Sequence, residues 1–174
     1  MDVATQSAVI VTVPSAEDAV AAHRARYDPA AGWGVPAHVT ILYPFVPPSE
    51  INARVVGELR AAIGSIPRFE AGCHTTGWFG TEVLWLDPQP ADAFRALTTA
   101  VVRAFPGYLP YAGEYDDVVP HVTVAHGDEA VRLREVEREV RRHLPINFLV
   151  TAAELWRGTV AADSWERLAA LPLG

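Results

Sequence analysis

Two tetrapeptides, His38-Val39-Thr40-Ile41 and His121-Val122-Thr123-Val124, stand 83 residues apart, each closely preceded by proline. A chance origin is roughly a one per cent event for a chain of this composition. Residues two apart on a strand share a face, so each His projects with its Thr while the Val and Ile partners point into apolar packing. The neighbourhoods repeat as well. His38 to Phe69 is 31 positions and His121 to Phe148 is 27, and Phe69 to Trp85 is 16 against 17 from Phe148 to Trp165. This pattern reads as an internal duplication, far longer than a solenoid period. It predicts two pseudo-symmetric lobes that face two His/Thr pairs across one cleft.

The predicted elements fit that frame. Ala8 to Val13 is an apolar, β-branched strand, followed by a helix from Ala16 to Arg26 capped by Ser15 and a loop from Asp28 to Pro36. His38 to Tyr43 reads as a strand, and Ser49 caps a helix from Glu50 to Ile63. Strands at Phe69 to Phe79 and Glu82 to Asp87 turn at Gly80 and Thr81, and a helix spans Ala91 to Ala104. After a loop from Phe105 to Asp117, Val118 to Ala125 is a strand and Asp128 caps a helix reaching His143. Asn147 to Trp156 and Trp165 to Leu171 form the closing hairpin. The expected fold class is therefore α+β, with one bilobal domain over residues 1–174 and repeats at about 37–87 and 118–171.

Composition removes several chemistries. At 174 residues with 50% hydrophobic and 20% charged side chains, the chain can bury a core. All fourteen basic residues are arginine. Without lysine there is no P-loop lysine, no Schiff-base amine and no lysyl adenylate of an ATP-dependent ligase. A net charge of −7 disfavours duplex DNA and leaves a small phosphate ligand or a strand end as partner. The single cysteine, Cys73, forms no intrachain disulfide and no CxxC, which fits a reducing cytoplasm. No signal-peptide core or membrane span is expected, since no apolar run approaches about 18 residues.

Two opposed imidazoles suit general acid-base chemistry at phosphorus, one taking a proton from the nucleophile and one giving a proton to the leaving oxygen. The paired threonine hydroxyls can donate to non-bridging phosphate oxygens. Zinc fits less well, because HExxH and Cys/His clusters are absent and Thr is a poor ligand. Phe45, Tyr111 and Tyr115 are candidates for stacking on a base, and Arg157 for a bidentate phosphate contact. His126, five residues after His121, is expected on the opposite strand face, and His23, His74 and His143 on the surface or in packing. Tyr108, Trp78, Trp85, Trp156 and Trp165 read as core.

Across nearly its whole length the chain resembles the 2H phosphoesterase superfamily, which includes 2′-5′ RNA ligase-like proteins and cyclic nucleotide phosphodiesterases. PAHVTILYPF, WLDP, PHVTVAHG and ERLAALPLG carry the resemblance. It implies two antiparallel sheets enclosing a cleft, with helices outside. It also implies His38 and His121 as the acid-base pair, Thr40 and Thr123 as the phosphate hydroxyls, and neither metal nor cofactor. The implied substrate is a 2′,3′-cyclic phosphate or a 2′-5′ linkage of a small nucleotide or RNA end; a monomer is expected. Which histidine is the base stays open. The rival readings are a binding module that does not turn its ligand over, a metal-dependent hydrolase, and an acyl or thioester enzyme using Cys73.

Overall fold

The computed structural model describes residues 3–174. Eight strands divide equally between two antiparallel sheets. The first sheet runs β2 (His38–Leu42), β1 (Gln6–Thr12), β7 (Ala152–Gly158), β8 (Glu166–Pro172). The second runs β5 (Val122–His126), β4 (Val83–Gln89), β3 (Phe69–Phe79), β6 (Ile146–Val150). The α+β class and the paired sheets agree with the sequence reading.

The lobes, however, do not coincide with the sequence repeats. Motif strand β2 lies in the sheet that holds β7 and β8, and motif strand β5 pairs with β4 from the first half of the chain. The unit that recurs is strand, helix, motif strand: β1–α1–β2 and β4–α4–β5, with α1 at Glu17–Tyr27 and α4 at Ala91–Ala104. Each motif strand is the outermost of its sheet, and β2 and β5 meet along their free edges. Pro36 and Pro120, which supply no N–H to a ladder, are tolerated just before such edges.

Helices cover the outer faces. α1 and α5 (Ala130–Val140) pack on β5, while α4 packs on β2 and α3 (Ala53–Gly64) on β8. Their apolar residues fall at helical spacing: Val55, Leu59 and Ile63; Phe94, Leu97 and Val101; Leu133, Val136 and Val140. With the inward residues of the motif strands, Val39, Ile41, Val122 and Val124, all buried, they form one core.

Several predicted boundaries move. Asn52, not Ser49, caps α3, accepting from Arg54 N and Val55 N. Neither Ser15 nor Asp128 caps its helix with a side chain; both N-termini follow other residues, Ala16 and Glu129. A four-residue helix, α2 (Pro29–Gly32), interrupts the expected loop because Asp28 accepts from Ala30 N. The strand expected from Asn147 to Trp156 breaks at Thr151, with β6 joining the second sheet and β7 the first.

Candidate active site

Each motif histidine is aimed by the same device. The His38 Nδ1–H donates to Pro36 O at 2.7 Å, and the His121 Nδ1–H donates to Val119 O at 2.8 Å. A carbonyl can only accept, so these bonds fix the tautomer and leave Nε2 as the nitrogen available to a ligand. Burial holds His38 well below the ordinary imidazole range, at about 4; the Pro36 bond and Asp28 oppose this while Arg24 and His121 add to it. Burial likewise lowers His121, against its bond to Val119.

The segment ahead of His38 is held from α1. Glu17 accepts from Ala37 N at 2.7 Å, and buried Arg24 donates to Val35 O at 3.0 Å. Arg24 also pairs with Asp28 at 2.9 Å, the two side chains 3% and 7% exposed. These bonds position the Pro36 carbonyl, and through it the imidazole.

Thr40 and Thr123 follow on the same face as their histidines. Thr40 lies across from Ile10 and His38 across from Thr12 on β1, while Thr123 lies across from Trp85 on β4. Tyr111 lies beside both motifs: its hydroxyl is near the Thr40 side chain, and the residue lines a depression together with His121. Its backbone N–H donates to Tyr43 O at 2.6 Å. Tyr111 and Ala112 hold φ of 50° and 54°, the left-handed region that costs non-glycine residues about 1–3 kcal/mol. Tyr115 packs edge-on against Tyr111 with centroids 5.7 Å apart.

Of the remaining sequence candidates, two lie elsewhere. Phe45 is 4% exposed and packs in the core against Phe105 at 5.0 Å and Tyr108 at 5.9 Å. Its ring follows the end of β2 inward because the apolar face there is the covered one. Arg157 makes a two-nitrogen contact with Glu166 at 2.7 and 2.9 Å and borders a separate depression with Pro48 and Thr159. On β7 it alternates with Trp156, so it faces away from Ala8 and the site.

Four residues beside the motif histidines escaped the sequence reading. A β-bulge between Leu84 and Trp85 makes Val83 oppose His126 while Trp85 opposes Thr123. That extra residue turns His126 onto the His121 face, where it lines the same depression. Trp85 lies 6.2 Å from His121, with Phe79 at 4.9 Å. Trp165 borders a depression with His38 and Thr40. Each indole lies over a glycine, Trp85 over Gly77 and Trp165 over Gly158, where any Cβ would collide with the ring. A glycine seven or eight residues before each tryptophan was the available signal.

Cys73 is buried and its thiol is pushed up to about 12, mainly by burial, which removes it as a nucleophile. Among the described residues no three His, Cys, Asp or Glu side chains gather as a metal-holding group. No helix among them is long and apolar enough to cross a membrane.

Solved structures share this architecture. LigT of E. coli in its apo form superposes with a TM-score of 0.63 at 19% identity, covering 99% of each chain. LigT complexed with 3′-AMP gives 0.62 at 19% identity over 98% of this chain and 99% of that one. TT0787 of Thermus thermophilus gives 0.59 at 17% identity over 96% and 97%. No curated protein sequence matches the chain significantly. At such identities structural likeness speaks for the fold alone, but the sequence itself matches the family model of the 2′-5′ RNA ligase superfamily over residues 12–161. With that match taking in both histidine motifs and most of the chain, the protein belongs to the 2′-5′ RNA ligase superfamily.

Proposed function

We propose that the protein is a metal-independent phosphoesterase acting on a 2′,3′-cyclic phosphate or a 2′-5′ phosphodiester of a small nucleotide or RNA end. The observation that carries this is the matched pair of histidines at the starts of adjoining edge strands, each with Nδ1 tied to a backbone carbonyl and a threonine two residues on. Membership of the superfamily supports it, as does the 3′-AMP held by the similarly folded LigT.

In this reading His38 and His121 divide general acid and general base between them, and Thr40 and Thr123 donate to the non-bridging oxygens. Burial keeps both imidazoles uncharged at neutral pH. A phosphate anion brought between them favours protonation of one, which produces the required pair. Tyr111 and Tyr115 border the substrate; Phe45 and Arg157 take no part.

The test is phosphorus NMR of the protein with 2′,3′-cyclic AMP, CMP, GMP and UMP, then 2′-5′ dinucleotides, all in excess EDTA. Conversion to a monophosphate is expected, lost in His38→Ala and His121→Ala. Loss of one acid or base costs about 10²–10⁴ in rate. Activity that EDTA abolishes refutes the metal-free mechanism, and binding without turnover on any of these substrates makes the protein a binding module.

A further inference from the structure

The turn ahead of β5 is strained where it passes the motif threonine of β2. Tyr111, Ala112 and Gly113 hold φ of 50°, 54° and 79°, three consecutive residues in the left-handed region. Glycine takes that conformation freely, whereas a tyrosine and an alanine keep it only where their surroundings over-determine it. Those surroundings tie Tyr111 to β2 at two points. Its backbone N–H donates to Tyr43 O at 2.6 Å, just past the end of the strand, and its hydroxyl is near the Thr40 side chain. Tyr115 packs against the Tyr111 ring at 84°, centroids 5.7 Å apart, which fixes the plane of the phenol. The Ala112 N–H donates to Leu109 O and the Glu114 N–H to Tyr111 O, each at 3.0 Å, and these bonds close the turn.

Resting on the phosphoesterase reading above, we infer that Tyr111 is a positioning residue for Thr40: its hydroxyl donates to Thr40 Oγ1 and so aims the threonine's single hydrogen at the phosphate. A threonine hydroxyl has one hydrogen and two lone pairs, and the hydrogen rotates to suit whatever acceptor is near. A donor on one lone pair removes the orientations in which Oγ1 would meet a phosphate oxygen with its own lone pairs. A hydroxyl that accepts a hydrogen bond is also polarised to donate a stronger one.

The phenol suits this task. Burial, first among the causes, pushes its pKa above the ordinary tyrosine value, so the proton stays on the oxygen through the neutral range and remains available for donation. The strained turn supplies the reach, because it carries a side chain from the loop before the second motif to the threonine of the first.

The experiment is a double-mutant cycle of Tyr111→Phe and Thr40→Val, read in initial rates on nucleoside 2′,3′-cyclic phosphates and in the dissociation constant of 3′-AMP. Phenylalanine keeps the ring, so a tyrosine that only stacks on a base or fills the turn loses nothing by the change. Tyr111→Phe is expected to lower kcat about 3–10-fold, with KM within about twofold of wild type. Thr40→Val lowers kcat about 10²–10³-fold. On that background Tyr111→Phe changes kcat less than about twofold, since no hydroxyl is left to aim. Thr40→Ser, which retains a hydroxyl, keeps the sensitivity to Tyr111→Phe. An unchanged kcat in Tyr111→Phe, a loss carried by KM alone, or the same fold loss with and without the Thr40 hydroxyl overturns the assignment. Thr40→Ala serves where the valine variant does not fold. A wild-type protein inert to every substrate refutes the phosphoesterase reading itself, and the cycle is then read in 3′-AMP binding alone. There, coupling between the two hydroxyls supports the assignment, and strict additivity or no binding at all overturns it.

Discussion

Replacing Arg24 with Met is the sharpest probe of how α1 positions His38. The substitution keeps most of the aliphatic volume but removes the donor to Val35 O and the partner of Asp28. Asp28, 7% exposed, then keeps its bond from Ala30 N but has no counter-charge. Breaking a buried pair from one side costs about 3–5 kcal/mol, most of it the stranded charge. At about 2–4 °C per kcal/mol for a protein of this size, the melting temperature falls by about 6–20 °C. Urea denaturation with a two-state fit reads the free energy, and calorimetry the melting temperature. The double variant Arg24→Met with Asp28→Asn strands no charge and recovers a large part of the loss. In both variants the Val35–Ala37 segment is less firmly held, so kcat falls more than KM rises. A cost below about 1 kcal/mol for Arg24→Met, or a double variant as unstable as the two single losses added together, refutes the reasoning.

Three further outcomes are expected. Because His38 titrates at about 4 when folded and near 6.5 when unfolded, the unfolded chain takes the proton first as pH falls. Its contribution is complete above pH 6.5 and lost on acidification to pH 4; 2.5 pH units at about 1.4 kcal/mol each amount to about 3 kcal/mol, read as the difference in acid sensitivity between wild type and His38→Gln. Gly77→Ala and Gly158→Ala each push an indole off the backbone it covers, costing about 1–3 kcal/mol and changing tryptophan fluorescence, with kcat/KM reduced by the shift beside a histidine. Phe45→Ala, a core truncation, costs about 3–5 kcal/mol in unfolding experiments while KM at permissive temperature stays near wild type.

How far the sequence was legible varied with the range of the interaction involved. The helix faces of α3, α4 and α5 and the inward valines of β2 and β5 follow from periodicity, because burying an apolar stripe is a local requirement. The repeat of the motif gave the pairing of two distant His/Thr pairs, and the family resemblance gave them roles. Exchange of strands between the repeats was hidden, since nothing local to Thr151 marks the point where one extended run leaves one sheet and joins another. Phe45 and Arg157 misled for a related reason: an aromatic after a strand or an arginine in a hairpin has the same local sequence whether it faces a cleft, a core or a glutamate on the next strand.

His126 shows the limit most directly. Counting by twos from His121 places it on the wrong face, and that arithmetic holds only while the ladder is regular. The bulge that reverses it forms between β4 and β5, 40 residues apart at Val83 and Thr123, so neither segment carries it alone. Residue types and their spacing thus determined that two His/Thr pairs existed and what chemistry they could perform. Tertiary structure decided which nitrogen each presents and which indole lies beside each, because those depend on register, hydrogen bonding and packing between segments far apart in the chain.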